Sequence, residues 1–149
     1  MIKKAILVAI IFSVFFLVGC AASVPMASRE QDSALKAFSQ PAADKASLYI
    51  YRNCSLGAAL KKNVYVDGVL LGQTANKVYF FKEIAPGEHK ISTESEFSDN
   101  MITFQAAGGK NYFAEQYIKM GIFIGGAKLQ MVSEEEGMAA VRKCALAKQ

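Results

Sequence analysis

The chain is short of the residues that carry metal and acid–base chemistry. In 149 residues it has one histidine, His89, no tryptophan, three cysteines and three prolines. A single histidine excludes a His-rich metal site and a multi-histidine catalytic centre within one chain, and no Cys/His pair stands at zinc-site spacing. Charge is sparse too, at 20% against 52% hydrophobic. The formal +4 includes Lys3 and Lys4 at the extreme N-terminus, and no basic cluster follows, which argues against nucleic acid as a partner. Eleven glycines and three prolines are too few for a collagen-like or low-complexity chain, and the apolar content excludes intrinsic disorder. The length suits one domain.

What is present begins at the N-terminus. Met1-Ile2-Lys3-Lys4 is a basic start, and Ala5 to Val18 is an apolar run broken only by Ser13. The pattern is that of a secretory signal peptide. The run is shorter than the roughly 20 residues that span a bilayer; extended through Ala22 it reaches the low edge, so an uncleaved anchor stays open. Leu17-Val18-Gly19-Cys20 decides the reading. It resembles the lipobox of bacterial lipoproteins. The resemblance implies cleavage between Gly19 and Cys20, a diacylglycerol on the Cys20 sulfur and usually a palmitate-like acyl group on the new N-terminus. Acyl chains hold a protein to a membrane at about 0.8 kcal/mol per buried CH₂ without a spanning helix. Residue 21 is Ala, not the Asp that in such lipoproteins often retains the chain on the inner membrane. Outer-membrane residence facing the periplasm is therefore expected if the host has two membranes. The expected organisation is a signal peptide (1–19), a lipidated tether (20–27) and a single domain (28–149).

Cys54 and Cys144 remain, an even pair in an exported chain. Exported compartments permit disulfides, so a bridge between them is expected, with two separate buried thiols as the alternative. Closing a loop of about 90 residues is worth roughly 4 kcal/mol in the chain-entropy picture.

Ser28-Arg29-Glu30-Gln31 has capping-box spacing, and the pattern predicts a short helix over 29–39 that docks Phe38 and stops at Pro41. From Ser47 the period changes to two. Leu48 to Arg52 alternates aliphatic and aromatic residues. Asp67-Gly68 between β-branched and aliphatic runs is a type I′ hairpin signal. Strands are predicted at 77–84, 88–94 (after the Pro86-Gly87 turn), 100–106, 111–119 and 127–132. Ser133-Glu134-Glu135-Glu136 opens a closing helix with Met138, Val141 and Ala145 as its apolar stripe. The expected fold is mainly β: an antiparallel β-sandwich of about seven strands with a short N-terminal helix and a C-terminal helix packed on it.

The hairpin and the Pro-Gly turn resemble those of PEGA-like and transthyretin-like surface modules. The order of the parts resembles, more specifically, the bacterial lipoprotein family known as domain-of-unknown-function family 2846. The matching pieces are the lipobox, Leu48-Tyr49-Ile50-Tyr51-Arg52, Tyr65-Val66-Asp67-Gly68, Pro86-Gly87-Glu88-His89, Gly109-Lys110-Asn111-Tyr112-Phe113, the glycine-rich stretch 121–126 and the Glu-Glu-Gly helix. That family implies no activity, cofactor or catalytic residue.

No catalytic, metal or cofactor site is expected. Gly108-Gly109-Lys110 lacks the upstream glycine of a phosphate loop and is followed by Asn111, so it reads as a turn. Ser92, three residues beyond His89 on a strand, falls on the opposite face and cannot be its nucleophile. The Glu134–Glu136 run reads as a solvated helix start. Asn53-Cys54-Ser55 fits a glycosylation pattern that bacterial lipoproteins seldom use. Two stretches are candidate binding surfaces. Tyr49, Tyr51, Tyr65 and Tyr79 fit one sheet face, either a recognition surface or half-buried packing. Ile122, Phe123 and Ile124 lie between glycines, either an exposed apolar tip or a continuing core strand. The expected function is a lipid-anchored, non-catalytic interaction or structural module of the envelope, held to the membrane and facing a protein partner. The alternative is a periplasmic binder of a small molecule, lipid or glycan.

Overall fold

The computed structural model describes residues 21–94, 100–120 and 125–149. Helix α1 (Arg29–Leu35) precedes strands β1 (Ala46–Arg52), β2 (Lys62–Val66), β3 (Val69–Thr74), β4 (Val78–Ile84), β5 (Gly87–Thr93), β6 (Asn100–Ala106), β7 (Asn111–Lys119) and β8 (Gly126–Val132). Helix α2 (Glu134–Val141) and a short β9 (Ala145–Leu146) follow. One sheet has the order β8-β7-β1-β4-β9 and the other β3-β2-β5-β6. This is the expected β-sandwich, with both helices on the outer face of the larger sheet.

Two pairings depart from the antiparallel pattern that hairpins alone would give. β1 pairs antiparallel with β4 but parallel with β7, and β4 pairs parallel with β9. The chain leaves the larger sheet twice to lay down β2–β3 and β5–β6, so β7 re-enters beside β1 in the same direction. β9 is reached through α2, which crosses the sheet face as a parallel connection requires.

The alternation in β1 serves two cores at once, and every residue of this strand is buried. Leu48 and Ile50 meet Val64, Val66, Phe80 and Ile91 between the sheets. Tyr49 and Tyr51 point the other way and meet Phe38, Tyr79, Phe113 and Val141 under the helices. The second core explains the strand's aromatic half.

The N-terminal ends of α1 and α2 follow their sequence signals. Ser28 Oγ accepts from Gln31 N, and Ser28 N donates to Gln31 Oε1, both at 3.2 Å, a complete capping box. The helix stops at Leu35, well short of Pro41, because Phe38 takes φ 50 and turns its ring inward. That ring sits 5.4 Å from Tyr49 and 5.9 Å from Phe113. Ser133 caps α2 through Glu136 N. A Cβ on Gly137 would lie 2.2 Å from Phe113 Cγ, so glycine lets α2 rest directly on that ring. The helix ends before Ala145, which is exposed and belongs to β9 rather than to the predicted stripe.

The expected tether is the clearest correction. Residues 21–27 are laid against the body. Ala22 N donates to Ala58 O at 2.9 Å, Ala27 N to Leu146 O at 3.0 Å, and Lys148 N to Pro25 O at 2.8 Å. Met26 forms a bridge with Ala147. Ala22 and Val24 pack on the inter-sheet core and Ala27 on the helix-side core.

Candidate functional site

Three of the four tyrosines share a face, but it is a covered one. Tyr49, Tyr51 and Tyr79 are buried beneath the helices. Tyr49 stacks on Phe113 with centroids 4.9 Å apart and donates its hydroxyl to Leu35 O at 3.0 Å. Tyr79 donates to Asp32 O at 3.4 Å. Burial raises all three hydroxyl pKa values, Tyr49's to about 12. The Tyr49 and Tyr79 hydroxyls fasten α1 to the sheet, and all three rings are buried and present no recognition surface. Tyr65 stands apart in β2 on the other sheet, half-buried, its hydroxyl accepting from Asn63 Nδ2 at 3.3 Å. Gly19, Cys20, Ile122, Phe123 and Ile124 lie outside the described residues.

The bridge expected between Cys54 and Cys144 is not formed; both are free thiols. Cys144 is buried with its Sγ 3.8 Å from Arg52 O, and burial raises its thiol pKa to about 12. Cys54 is half-buried and donates weakly to Leu56 O at 3.7 Å.

His89 has a partner that local reading could not supply. The hairpin turn places Asp67 at φ 53 and Gly68 at φ 79, the left-handed pair of a type I′ turn. This carries the Asp67 carboxylate across to β5. Its Oδ2 lies 2.7 Å from His89 Nδ1 and its Oδ1 accepts from Lys90 N at 2.9 Å. The other ring nitrogen, Nε2, lies 2.8 Å from Ala85 O. Both ring nitrogens therefore face acceptors, a geometry satisfied only by the imidazolium. Burial disfavours that charge, but Asp67 and the Ala85 carbonyl outweigh it, and the His89 pKa is raised. For Asp67, desolvation is likewise outweighed, by Lys90 N and His89, and its pKa is lowered. With both nitrogens engaged, His89 ties the hairpin tip to the Pro86-Gly87 turn.

At the opposite end of the sandwich, β1 finishes in Arg52, whose residue surface is 0% exposed. Its Nη1 donates to Leu60 O at 2.7 Å and its Nη2 to Gly57 O at 2.5 Å, while Nε has no partner among the described residues. The guanidinium thus folds the 53–61 loop over the end of the core. Beneath it, Gln116 bridges Thr74 and Thr93, with Gln116 Nε2 donating to Thr93 Oγ1 at 2.6 Å. The loop so held receives Ala22 at Ala58. Position 22 is two residues from Cys20, so this end is where the N-terminal segment meets the fold. Sequence reading missed it; the only signal was a basic residue closing an otherwise apolar strand.

A surface groove of about 490 Å³ lies beside α1, lined mainly by Ala27, Ala34, Leu35, Phe81 and Leu146 with Gln31 and Lys148 at its margin. Among the described residues no three His, Cys, Asp or Glu side chains gather as metal ligands. Among them too, no helix is long and apolar enough to cross a membrane.

A family model described as "Protein of unknown function (DUF2846)" matches residues 42–127. A protein of Haemophilus influenzae (strain ATCC 51907 / DSM 11121 / KW20 / Rd), described as "Uncharacterized protein", is 47% identical over 146 residues. The match spans 98% of this chain and 87% of the relative. No solved structure matches the chain.

Proposed function

We propose that this chain, which belongs to the protein family of unknown function DUF2846, is a lipid-anchored lipoprotein of the cell envelope. In this reading it acts without catalysis, as an interaction or structural module, on the outer membrane facing the periplasm where the host has two membranes. The supporting observation is a juxtaposition. The lipobox ends at Cys20, and by Ala22 the backbone is already hydrogen-bonded into the domain. Cleavage before Cys20 would remove the apolar signal and leave an N-terminus that the fold uses. His89, the one histidine, has both ring nitrogens engaged, which suits a turn clamp better than proton transfer.

Replacing Cys20 by Ala tests the anchor. The variant should retain its signal peptide and lose the acyl mass on its N-terminal peptide. Continued cleavage with normal membrane retention would refute lipidation. Fractionation of the two membranes tests the compartment, and recovery mainly with the inner membrane would count against it. The groove beside α1 favours a second reading, as a binder of a small apolar ligand. A ligand co-purifying with the wild type and lost in Ala34→Glu would support that reading.

A further inference from the structure

We propose that the end of the sandwich closed by the 53–61 loop and by the end of β7 is a membrane-docking face that rests on anionic phospholipid headgroups. The proposal rests on the lipid-anchored reading and adds an orientation to it. Ala22 is hydrogen-bonded to Ala58, and only two residues of chain, at most roughly 7 Å extended, separate it from the acylated position 20. A free tether would let the domain hang at any angle. A docked one leaves this end closest to the acyl chains.

The surface there suits a bilayer interface. Leu56 is 49% exposed on the loop and Met120 is 81% exposed where β7 ends. The two segments touch: a Cβ on Gly57 would lie 2.9 Å from Ile118 Cγ2, and one on Gly125 would lie 2.8 Å from Leu60 Cδ1. Lys61 and Lys119 are exposed on the same two segments. Lys128 crowds Lys119, and their contact and like charge lower the Lys119 pKa. A phosphate between the two ammonium groups would relieve that repulsion. Apolar side chains flanked by lysines match the boundary between acyl chains and acidic headgroups. Arg52 holds the loop rigid from within through Gly57 O and Leu60 O.

The test uses the lipidated protein in vesicles of phosphatidylethanolamine and phosphatidylglycerol, with phosphatidylcholine vesicles for comparison. Amine acetylation is read lysine by lysine by mass spectrometry. Lys61 and Lys119 should be labelled about fivefold less than Lys90 and Lys110 near the other end, the scale of one lysine held at an anionic surface. The protection should weaken on phosphatidylcholine. It should vanish in L56D/M120D, whose exposed positions leave the fold intact, while the N-terminal peptide keeps its acyl mass. Equal labelling at both ends of a chain whose Cys20 carries lipid overturns the docking and leaves the anchor standing. Protection that survives in L56D/M120D also overturns the docking. A Cys20 peptide without acyl mass overturns both.

Discussion

Raising the pH through the titration of His89 should loosen the clamp between the hairpin tip and the Pro86-Gly87 turn. As an imidazolium, His89 donates to Asp67 Oδ2 at 2.7 Å and to Ala85 O at 2.8 Å. Neutral imidazole has one N–H, so one nitrogen lone pair must then face an oxygen. Because the folded pKa is raised above the ordinary 6.5, the stabilisation is complete below about pH 6.5 and is lost as pH rises through the folded value. Asp67 has the opposite sign. Its pKa is lowered from the ordinary 3.8, so its contribution is complete above that value and is lost as pH falls through the folded value. Lys82 adds a weaker pull on the same carboxylate. The clamp is therefore strongest between roughly pH 4 and 6.5. Its size lies between two limits. The His89 side chain is 13% exposed but Asp67 is 45% exposed, so screening removes part of what a buried charged pair would contribute. About 1–2 kcal/mol remains for the two charge-assisted bonds. Urea unfolding of wild type and His89→Gln should differ by that amount at pH 5.5 and by clearly less at pH 8.5. A difference that is unchanged between the two pH values, or larger at 8.5, would refute the imidazolium assignment.

Gly137→Ala sets helix propensity, a gain of about 1 kcal/mol, against a Cβ 2.2 Å from Phe113 Cγ. With that ring already stacked on Tyr49, overpacking should win, for a net loss of about 2 kcal/mol and a Tm lowered by roughly 5–10 °C; a stabilised variant would show that α2 lifts freely. Arg52→Met leaves Gly57 O and Leu60 O without their donor and should cost about 3 kcal/mol. Hydrogen exchange should speed up at Ala22 and across 57–60, and exchange there at the wild-type rate would disprove the role of Arg52 in seating the N-terminal segment. Under native, non-reducing conditions iodoacetamide should modify Cys54 and leave Cys144 until unfolding, given the latter's burial and raised pKa. Peptide mapping that finds the two joined would contradict the free thiols.

Most of what the sequence determined was local. The strand limits 100–106 and 111–119 were legible to the residue, because apolar periodicity and the turn glycines act over a few positions. The same holds for the Asp67-Gly68 turn and the serine caps of α1 and α2, where one side chain or one positive φ sets the backbone. What depended on distant partners was decided only by the tertiary structure. For Tyr49 and Tyr79 a recognition face and packing were both open readings until α1 and α2 covered them. The β1–β7 parallel pair follows from where the second sheet was laid down between them. Asp67 and His89, and Ala22 and Ala58, meet only when separate segments are brought together by the cores between them. Residues 21–27 carry no strand or helix periodicity that would signal a docked segment. They are held by backbone hydrogen bonds, which every residue but proline can donate and which leave no mark in side-chain pattern.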